Sequence, residues 1–252
     1  MSRFAIIPAK FRSTGIPGKN WKLLCGISPT ERAIMTATDA GCFDRIIVSS
    51  DDCQILPTTW DWLERPAELC HDTTPMLDVV KHAVDFSRIL IARNREWTGR
   101  LDREDQDIFA VLQPTQPLRT PAHVRQAIAL LEETRADSVV SVVELPHTHS
   151  PDWVYTIRPN GQLERWLEWY GWLDQWLAHV PPMPTRRQDL KPVYIRDGTV
   201  YAFWRKTLES GSLYGQVCRA LVIPPEDTCP LDTMADWAEA ERRVRERELT
   251  HA

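Results

Sequence analysis

The loop AKFRSTGIPGKN, residues 9–20, gathers Lys10, Arg12 and Lys19 with Gly15 and Gly18, directly behind the apolar run Phe4–Pro8. These residue types in one short loop suit an anion. Glycine lets the backbone turn tightly and bring its N–H groups up to a ligand, and the cations neutralise its charge. A triphosphate is the kind of ligand such a cradle fits. The spacing matches neither G-x-x-x-x-G-K-[ST] nor G-x-G-x-x-G. A flexible basic turn would carry the same residues.

The elements that must position this loop read as an alternation of strands and helices. Short apolar strands are expected at Phe4–Pro8, Asp44–Ser50, Ile108–Leu112 and Ser138–Val143. Between them, apolar spacing predicts helices over Thr30–Ala40, ending at Gly41, over Asp78–Ile91 and over Pro121–Thr134. Strands that are apolar throughout, separated by helices, imply an α/β fold with a mainly parallel sheet and flanking helices. In such sheets ligands sit beyond the carboxyl ends of the strands, which is where residues 9–20 leave the first one. Residues 93–107 are highly charged and read as a solvated loop.

The rhythm breaks after Glu144. Residues 145–192 hold seven prolines and a tryptophan-rich stretch, LERWLEWYGWLDQWL, over 163–177. Trp169, Trp172, Leu173 and Trp176 fall on one face of a helix. That face either buries against another surface or lines a ligand pocket. Strands at Thr199–Trp204 and Ala220–Ile223 and a helix from Thr233 to about Glu248 complete the pattern. The organisation is one domain over 1–252, with 145–192 as an insertion that leaves the sheet and returns.

Composition bounds the function. The 252 residues are 43% hydrophobic and carry a net charge of −5, which suits one sizeable core and argues against a general nucleic-acid binder. No apolar run approaches the ~18 residues of a membrane helix. The six cysteines contain no Cys-x-x-Cys pair and read as thiols of a cytoplasmic protein, and His147 and His149 alone are weak evidence for a metal.

FAIIPAKFRSTGIPGKN resembles the signature loop of the sugar-acid cytidylyltransferases, the N-acylneuraminate (CMP-sialic acid) synthetases and the related Kdo enzymes. CFDRIIVSSDD (42–52), RPAEL with DTTP (65–75), VLQPTQPLRT (111–120), ADSVVSVVE (136–144), RRQDLKPVYIRDGTVYAF (186–203) and LDTMADWAEAE (231–241) follow in the family's order. The resemblance implies a Rossmann-like fold of the nucleotide-diphospho-sugar transferase type. It implies an enzyme that joins CTP to an acidic sugar, giving a CMP-sugar and pyrophosphate, usually with Mg²⁺. It also implies a homodimer in which the insertion reaches the partner's acceptor pocket.

The same resemblance distributes roles. Lys19, with Lys10, stabilises phosphate charge. Arg12, Ser13, Gly15, Gly18 and Asn20 bind the nucleotide, as do Arg65 and the turn from Asp72 to Thr74. Gln113, Arg187, Gln188, Arg196 and Asp197 face the acceptor, and Asp232 holds the metal. Alternatives stand beside these roles. Arg65 suits a salt bridge under the loop, Arg119 suits loop carbonyls, and Asp232 suits a helix N-cap.

The departures concern the acceptor and the metal. Lys10 stands where the family usually has arginine. Pro230 replaces a second aspartate of the sialic acid branch, and Pro114–Thr115 stand where the Kdo branch has one. Ile195–Arg196–Asp197–Gly198 stands in place of R-P-N-G, so Arg196 would serve by a one-residue shift. A phosphonate or other non-sialic acceptor, or a catalytically weak nucleotide-binding relative, are the alternatives. The segment between Asp52 and Arg65 is short, which predicts a missing or stunted helix.

Overall fold

The computed structural model describes residues 1–11, 13, 15–51, 60–98, 106–165, 184 and 186–251. Its main sheet has seven strands in the order β3-β2-β1-β4-β8-β5-β9. These are β1 (Arg3–Pro8), β2 (Arg45–Ser50), β3 (Asp61–Glu64), β4 (Ile108–Val111), β5 (Ser138–Glu144), β8 (Tyr194–Trp204) and β9 (Cys218–Val222). β1 pairs in parallel with β2 on one side and β4 on the other, β3 pairs in parallel with β2 and β9 with β5, while β4 and β8 are antiparallel.

The all-apolar strands have their physical reason in two cores. Ala5, Ile7, Val48, Ala110 and Leu112 point to one face of the sheet, with Ala33, Ala37, Val124, Ala127 and Leu131. Phe4, Ile6, Ile47, Phe109 and Val111 point to the other, with Val80, Ala83 and Val84. The first face is covered by α1 (Pro29–Ala40) and α3 (Pro121–Thr134), the second by α2 (Met76–Thr98). Phe4, Phe109 and Phe203 stack across three strands with centroid separations of 5.1 and 6.0 Å.

The helix boundaries follow local chemistry. Ser28 and Glu31 form a capping box at the start of α1, and Gly41 ends it at φ 63° with its N–H on the Thr38 carbonyl. Thr120 caps α3, with Pro121 in its first turn. α2 starts earlier than expected and runs on to Thr98, so the first part of the charged stretch 93–107 is helical rather than loop. Its arginines and glutamate are good helix formers, and no glycine or proline occurs there before Gly99. The segment expected to lack a helix falls mostly on residues 52–59, outside the described residues.

The chain divides into two compact units, a main one of Met1–Val142 and Arg196–Ala252 and a second of Val143–Ile195. Within the second, β6 (Tyr155–Ile157) and β7 (Leu163–Arg165) make an antiparallel hairpin. The Leu145 N–H meets the Val193 carbonyl at 2.9 Å, and Trp153 Nε1 donates to the Pro184 carbonyl at 3.0 Å. The tryptophans from 166 to 176 lie outside the described residues.

The amino-terminal edge of the sheet is held by a buried ion pair. Arg205 Nη2 lies 3.2 Å from Asp107 Oδ2, with side-chain exposures of 1% and 0%. Arg205 also donates to Ser87 Oγ at 3.0 Å, and Asp107 accepts the Ser2 N–H at 2.8 Å. One pair thus joins α2 to the starts of β1 and β4 and the end of β8. Replacing Arg205→Met leaves a buried carboxylate without its cation and should cost about 3–5 kcal/mol of stability. Urea unfolding measures this; a loss under about 1 kcal/mol would show that the pair does not anchor the edge. Adding Asp107→Leu should recover most of the loss.

Candidate active site

At the opposite edge the chain changes direction. After β1 it builds β2 and β3 on one side, then crosses to place β4 on the other. The loops leaving β1 and β4 therefore diverge and open a crevice between them. A cavity of about 410 Å³ lies there, and Lys10, Ser13, Gly15, Lys19, Asn20, Arg65, Asp72, Thr74, Gln113 and Asp232 all line it.

The first loop is anchored at several points. The Ala9 N–H reaches the Ser49 carbonyl at 2.9 Å, and the Phe11 N–H reaches Asp51 Oδ1 at 2.6 Å. Buried Asn20 donates to the Lys10 carbonyl at 2.7 Å, while its own carbonyl accepts from Thr30 Oγ1 at 2.7 Å. Ser13 Oγ donates to the Ile16 carbonyl and accepts the Lys19 N–H at 3.1 Å. Ile16 is buried with Leu24, Leu231, Trp237 and Ala240, so the helix Met234–His251 pins the loop. These contacts anchor the described residues of the loop at both ends. Gly18 turns the loop at φ +64°, a conformation glycine adopts freely. Gly15 lies against the backbone of Asp232, where an added Cβ would stand 3.0 Å from the carbonyl oxygen. Arg12 falls outside the described residues.

The three described cations are compensated differently. Lys10 pairs with Asp72. Lys19 Nζ donates to the Leu231 carbonyl at 3.0 Å and lies 3.5 Å from Asp232 Oδ1. Arg65 is buried, and its guanidinium reaches Ser49 Oγ at 3.2 Å and the Ser49 carbonyl at 2.9 Å. Among the described residues Arg65 forms no salt bridge, which corrects the expectation of an ion pair under the loop. Burial lowers its pKa, with weaker opposing effects from Cys70 and Asp51.

Asp232 is not the helix cap. Thr233 Oγ1 accepts the Asp236 N–H at 3.2 Å and Asp236 Oδ2 accepts the Thr233 N–H at 2.7 Å, so Thr233 and Asp236 form the capping box. The Asp232 side chain stays 74% exposed at the cavity. No group of three or more His, Cys, Asp or Glu able to hold a metal occurs among the described residues. One carboxylate does suit Mg²⁺ that arrives on a polyphosphate and keeps most of its waters.

Of the residues expected to face the acceptor, Gln113 alone lines the cavity. Asp197 turns back on its own backbone, accepting from the N–H and hydroxyl of Thr199. Arg196 donates to the Tyr214 hydroxyl and lies over that ring, 5.3 Å from its centroid. Arg187 and Gln188 belong to the second unit, in a short 3₁₀ turn Arg187–Asp189. Arg119 bonds one strand and one loop carbonyl: Nε donates to Thr199 O of β8 at 2.6 Å and Nη2 to Gln113 O in the turn after β4. Burial pushes its pKa down to about 9. Sequence reading missed His71 and Val79 in the cavity wall and the part played by Gln116, although His71 and Gln116 sit inside or beside the quoted blocks.

Comparison with known proteins adds the following. The family model described as cytidylyltransferase matches residues 4–151. The chain is 28% identical to the CMP-N,N'-diacetyllegionaminic acid synthase of Legionella pneumophila, covering 96% of each. It is 27% identical to N-acylneuraminate cytidylyltransferase A of Danio rerio, where it spans 50% of that protein's length and 95% of its own. The fold is shared with a CMP:2-keto-3-deoxy-manno-octonic acid synthetase solved with CTP, at a TM-score of 0.65 and 14% identity over 98% of this chain and 100% of the other. A 4-diphosphocytidyl-2C-methyl-D-erythritol synthase from Anaerococcus prevotii gives 0.60 and 13% over 97% and 98%.

The buried Arg65, without a carboxylate partner among the described residues, makes a prediction. Arg65→Met keeps an unbranched apolar stem and removes the guanidinium with its charge. CTP affinity should fall by about tenfold or more, while the thermal midpoint stays level or rises, because a buried cation lacking a carboxylate is removed. Calorimetry with CTP and a thermal melt read both. A lowered midpoint with unchanged affinity would make Arg65 a structural prop instead.

Proposed function

The chain belongs to the cytidylyltransferase family, and from that premise we propose that it transfers CMP from CTP to an acidic sugar of the nonulosonic acid class, releasing pyrophosphate. The observation that carries this reading is the convergence of Lys10, Lys19, Arg65 and Asp232 on one cavity at the switch point of the sheet. An acceptor hydroxyl attacks the α-phosphorus of CTP. A new P–O bond forms as the bond to the β-phosphate oxygen breaks. Such a reaction depends on positioning and on neutralising charge more than on covalent chemistry by the protein.

In this reading Lys19 and Lys10 lie along the triphosphate, and the glycine-turned loop offers its N–H groups. For Lys10 this means exchanging Asp72 for phosphate. Arg65 and the turn from Asp72 to Thr74 hold the nucleotide, and Gln113 faces the acceptor. Asp232 would hold Mg²⁺, which when bound neutralises phosphate charge. Since Arg187 and Gln188 lie in the second unit, we assign that unit to the acceptor site and to a homodimer contact. Its exposed apolar side chains, Ile157 at 73% and Leu163 at 62%, support an interface there. No helix among the described residues is long and apolar enough to cross a membrane, and we read the enzyme as cytoplasmic.

A non-sialic acceptor such as a phosphonate is favoured by one observation, the Asp197 carboxylate folded back on Thr199 where the family pattern places an asparagine.

Pyrophosphate release from CTP and Mg²⁺ should appear with one of N-acetylneuraminate, legionaminate, pseudaminate, Kdo or 2-hydroxyethylphosphonate. Silence across the panel with CTP binding intact would favour a catalytically weak nucleotide binder. Lys19→Ala should lower turnover by about 10²–10³-fold, as for loss of a donor at developing charge; near-normal turnover would remove Lys19 from the chemistry. Light scattering should give about 58 kDa, twice the 29.1 kDa of the chain, whereas a monomer mass at micromolar concentration would end the dimer proposal.

A further inference from the structure

The turn after β4 is joined to both sides of the candidate site by one side chain. Gln116 is 3% exposed. Its Nε2 donates to the Asp197 carbonyl, beside Gly198. Its Oε1 faces the other way, 3.4 Å from Thr228 Oγ1 and 3.4 Å from the Cys229 N–H. Both ends of the amide are thus used, each on a different segment of backbone.

Each segment leads directly to a residue of the site. At Gly198 an added Cβ would stand 2.6 Å from Gln113 Oε1, so the Gln113 amide lies on that bare backbone. The strand holds Gly198 at φ +82°, which glycine alone adopts without strain. On the other side, residues 228–229 run into Leu231 and Asp232. The Leu231 N–H donates to the Thr115 carbonyl at 3.0 Å, and the Leu231 carbonyl receives Lys19 Nζ at 3.0 Å. Asp232 therefore stands on backbone tied to the turn next to Gln116, and that same backbone receives the Lys19 ammonium.

We propose that Gln116 is a positioning residue that sets the acceptor-side amide of Gln113 and the phosphate-side pair of Lys19 and Asp232 in one register, through separate hydrogen bonds from the two ends of its carboxamide. The proposal rests on the cytidylyltransferase reading given above. It touches neither substrate. Its effect is geometric: an attacking hydroxyl and a triphosphate must meet in line, and a small displacement of either side costs rate. An apolar residue of similar size would fill the space at position 116 but hold neither segment. A leucine or methionine there would make the core drier, so burial alone does not account for an amide. The neighbouring Arg119 reinforces the acceptor side, since it bridges Gln113 O and Thr199 O, but it has no bond to the 228–232 segment.

Two substitutions separate the two ends. Gln116→Glu has the native shape and keeps an oxygen toward Cys229, but as a carboxylate it sets an acceptor and a negative charge against the Asp197 carbonyl. It should raise the KM for the acceptor by about tenfold or more, through loss of that buried hydrogen bond and the repulsion that replaces it, and move the Mg²⁺ dependence of CTP binding by less. Gln116→Met loses both ends and should shift both quantities. Acceptor KM is read from pyrophosphate release and the metal dependence from calorimetric titration of CTP at graded Mg²⁺. The calorimetric arm needs no turnover, so a wild-type chain that binds CTP but releases no pyrophosphate would sink the functional reading and leave this arm to judge Gln116. Loss of fold in Gln116→Met would leave the isosteric Gln116→Glu to carry the test. If the folded variants keep both quantities within twofold of wild type and lose only thermal stability, Gln116 merely packs and the proposal fails. It also fails if Gln116→Glu moves the metal dependence and spares the acceptor KM.

Discussion

The pairing of β1 with β4 is the contact on which the rest of the molecule depends. Both strands are apolar on both faces, so they belong at the centre of the sheet, with helices above and below. Their parallel register, Phe4 opposite Phe109 and Ile6 opposite Val111, brings their carboxyl ends level. Because the crossovers to β2 and to β4 go opposite ways, no helix covers the gap between the two departing loops. β8 completes the arrangement by running antiparallel. Its register places Tyr201 beside Val111. The residues before Tyr201, down to Asp197, must then run past the turn that follows β4, which is how Arg119 reaches Thr199 and Gln116 reaches Asp197.

Charge separates the working surface from the merely charged one. The helix Met234–His251 is rich in arginine, but Arg242 and Arg243 both pair with Glu239, and Arg242 also pairs with Glu246. Such exposed pairs at helical spacing contribute little to stability and leave no net field to attract an anion. At the cavity the balance differs. Lys10 and Lys19 each have a carboxylate within reach, yet both carboxylates are more than half exposed and free to move. An anionic ligand can displace them there without breaking a buried contact. A chain with net charge −5 can therefore hold a local cationic pocket.

The strands and helices were legible where a single local signal decided them. Continuous apolar runs gave β1, β2, β4 and β5 to within two residues, and Gly41 marked a helix end, whereas the Ser28 cap put the start of α1 one residue before the expected Thr30. β3 was not legible: Asp61–Glu64 is four residues long, half of them charged, and acquires its identity from lying at the edge beside β2. That residues 9–20 border a crevice was legible, since that loop leaves the carboxyl end of β1. The counter-charges were not. Which carboxylate meets which lysine depends on contacts such as Lys19 with Asp232, 213 residues apart. The N-cap at Thr233 rather than Asp232 shows the same limit, because both residue types cap helices well and only the backbone bend chooses between them.

Three buried arginines trace how the molecule divides stability from function. Arg205, at the amino-terminal edge, is held by a carboxylate, a hydroxyl and the face of Phe109. Arg119, behind the turn after β4, has two carbonyls and no carboxylate partner among the described residues. Arg65, in the cavity wall, has the hydroxyl and the carbonyl of Ser49 and no carboxylate partner among the described residues. Carboxylate compensation is thus found at the closed end of the sheet, and the two arginines toward the open end rest on neutral acceptors. A guanidinium has five donors in a fixed fork, and leaving several unused beside a cavity is costly unless water or an anion takes them. The arginine paired with a carboxylate fixes the strands, Arg119 fixes the turn after β4, and Arg65 keeps donors beside the cavity that an anion would satisfy.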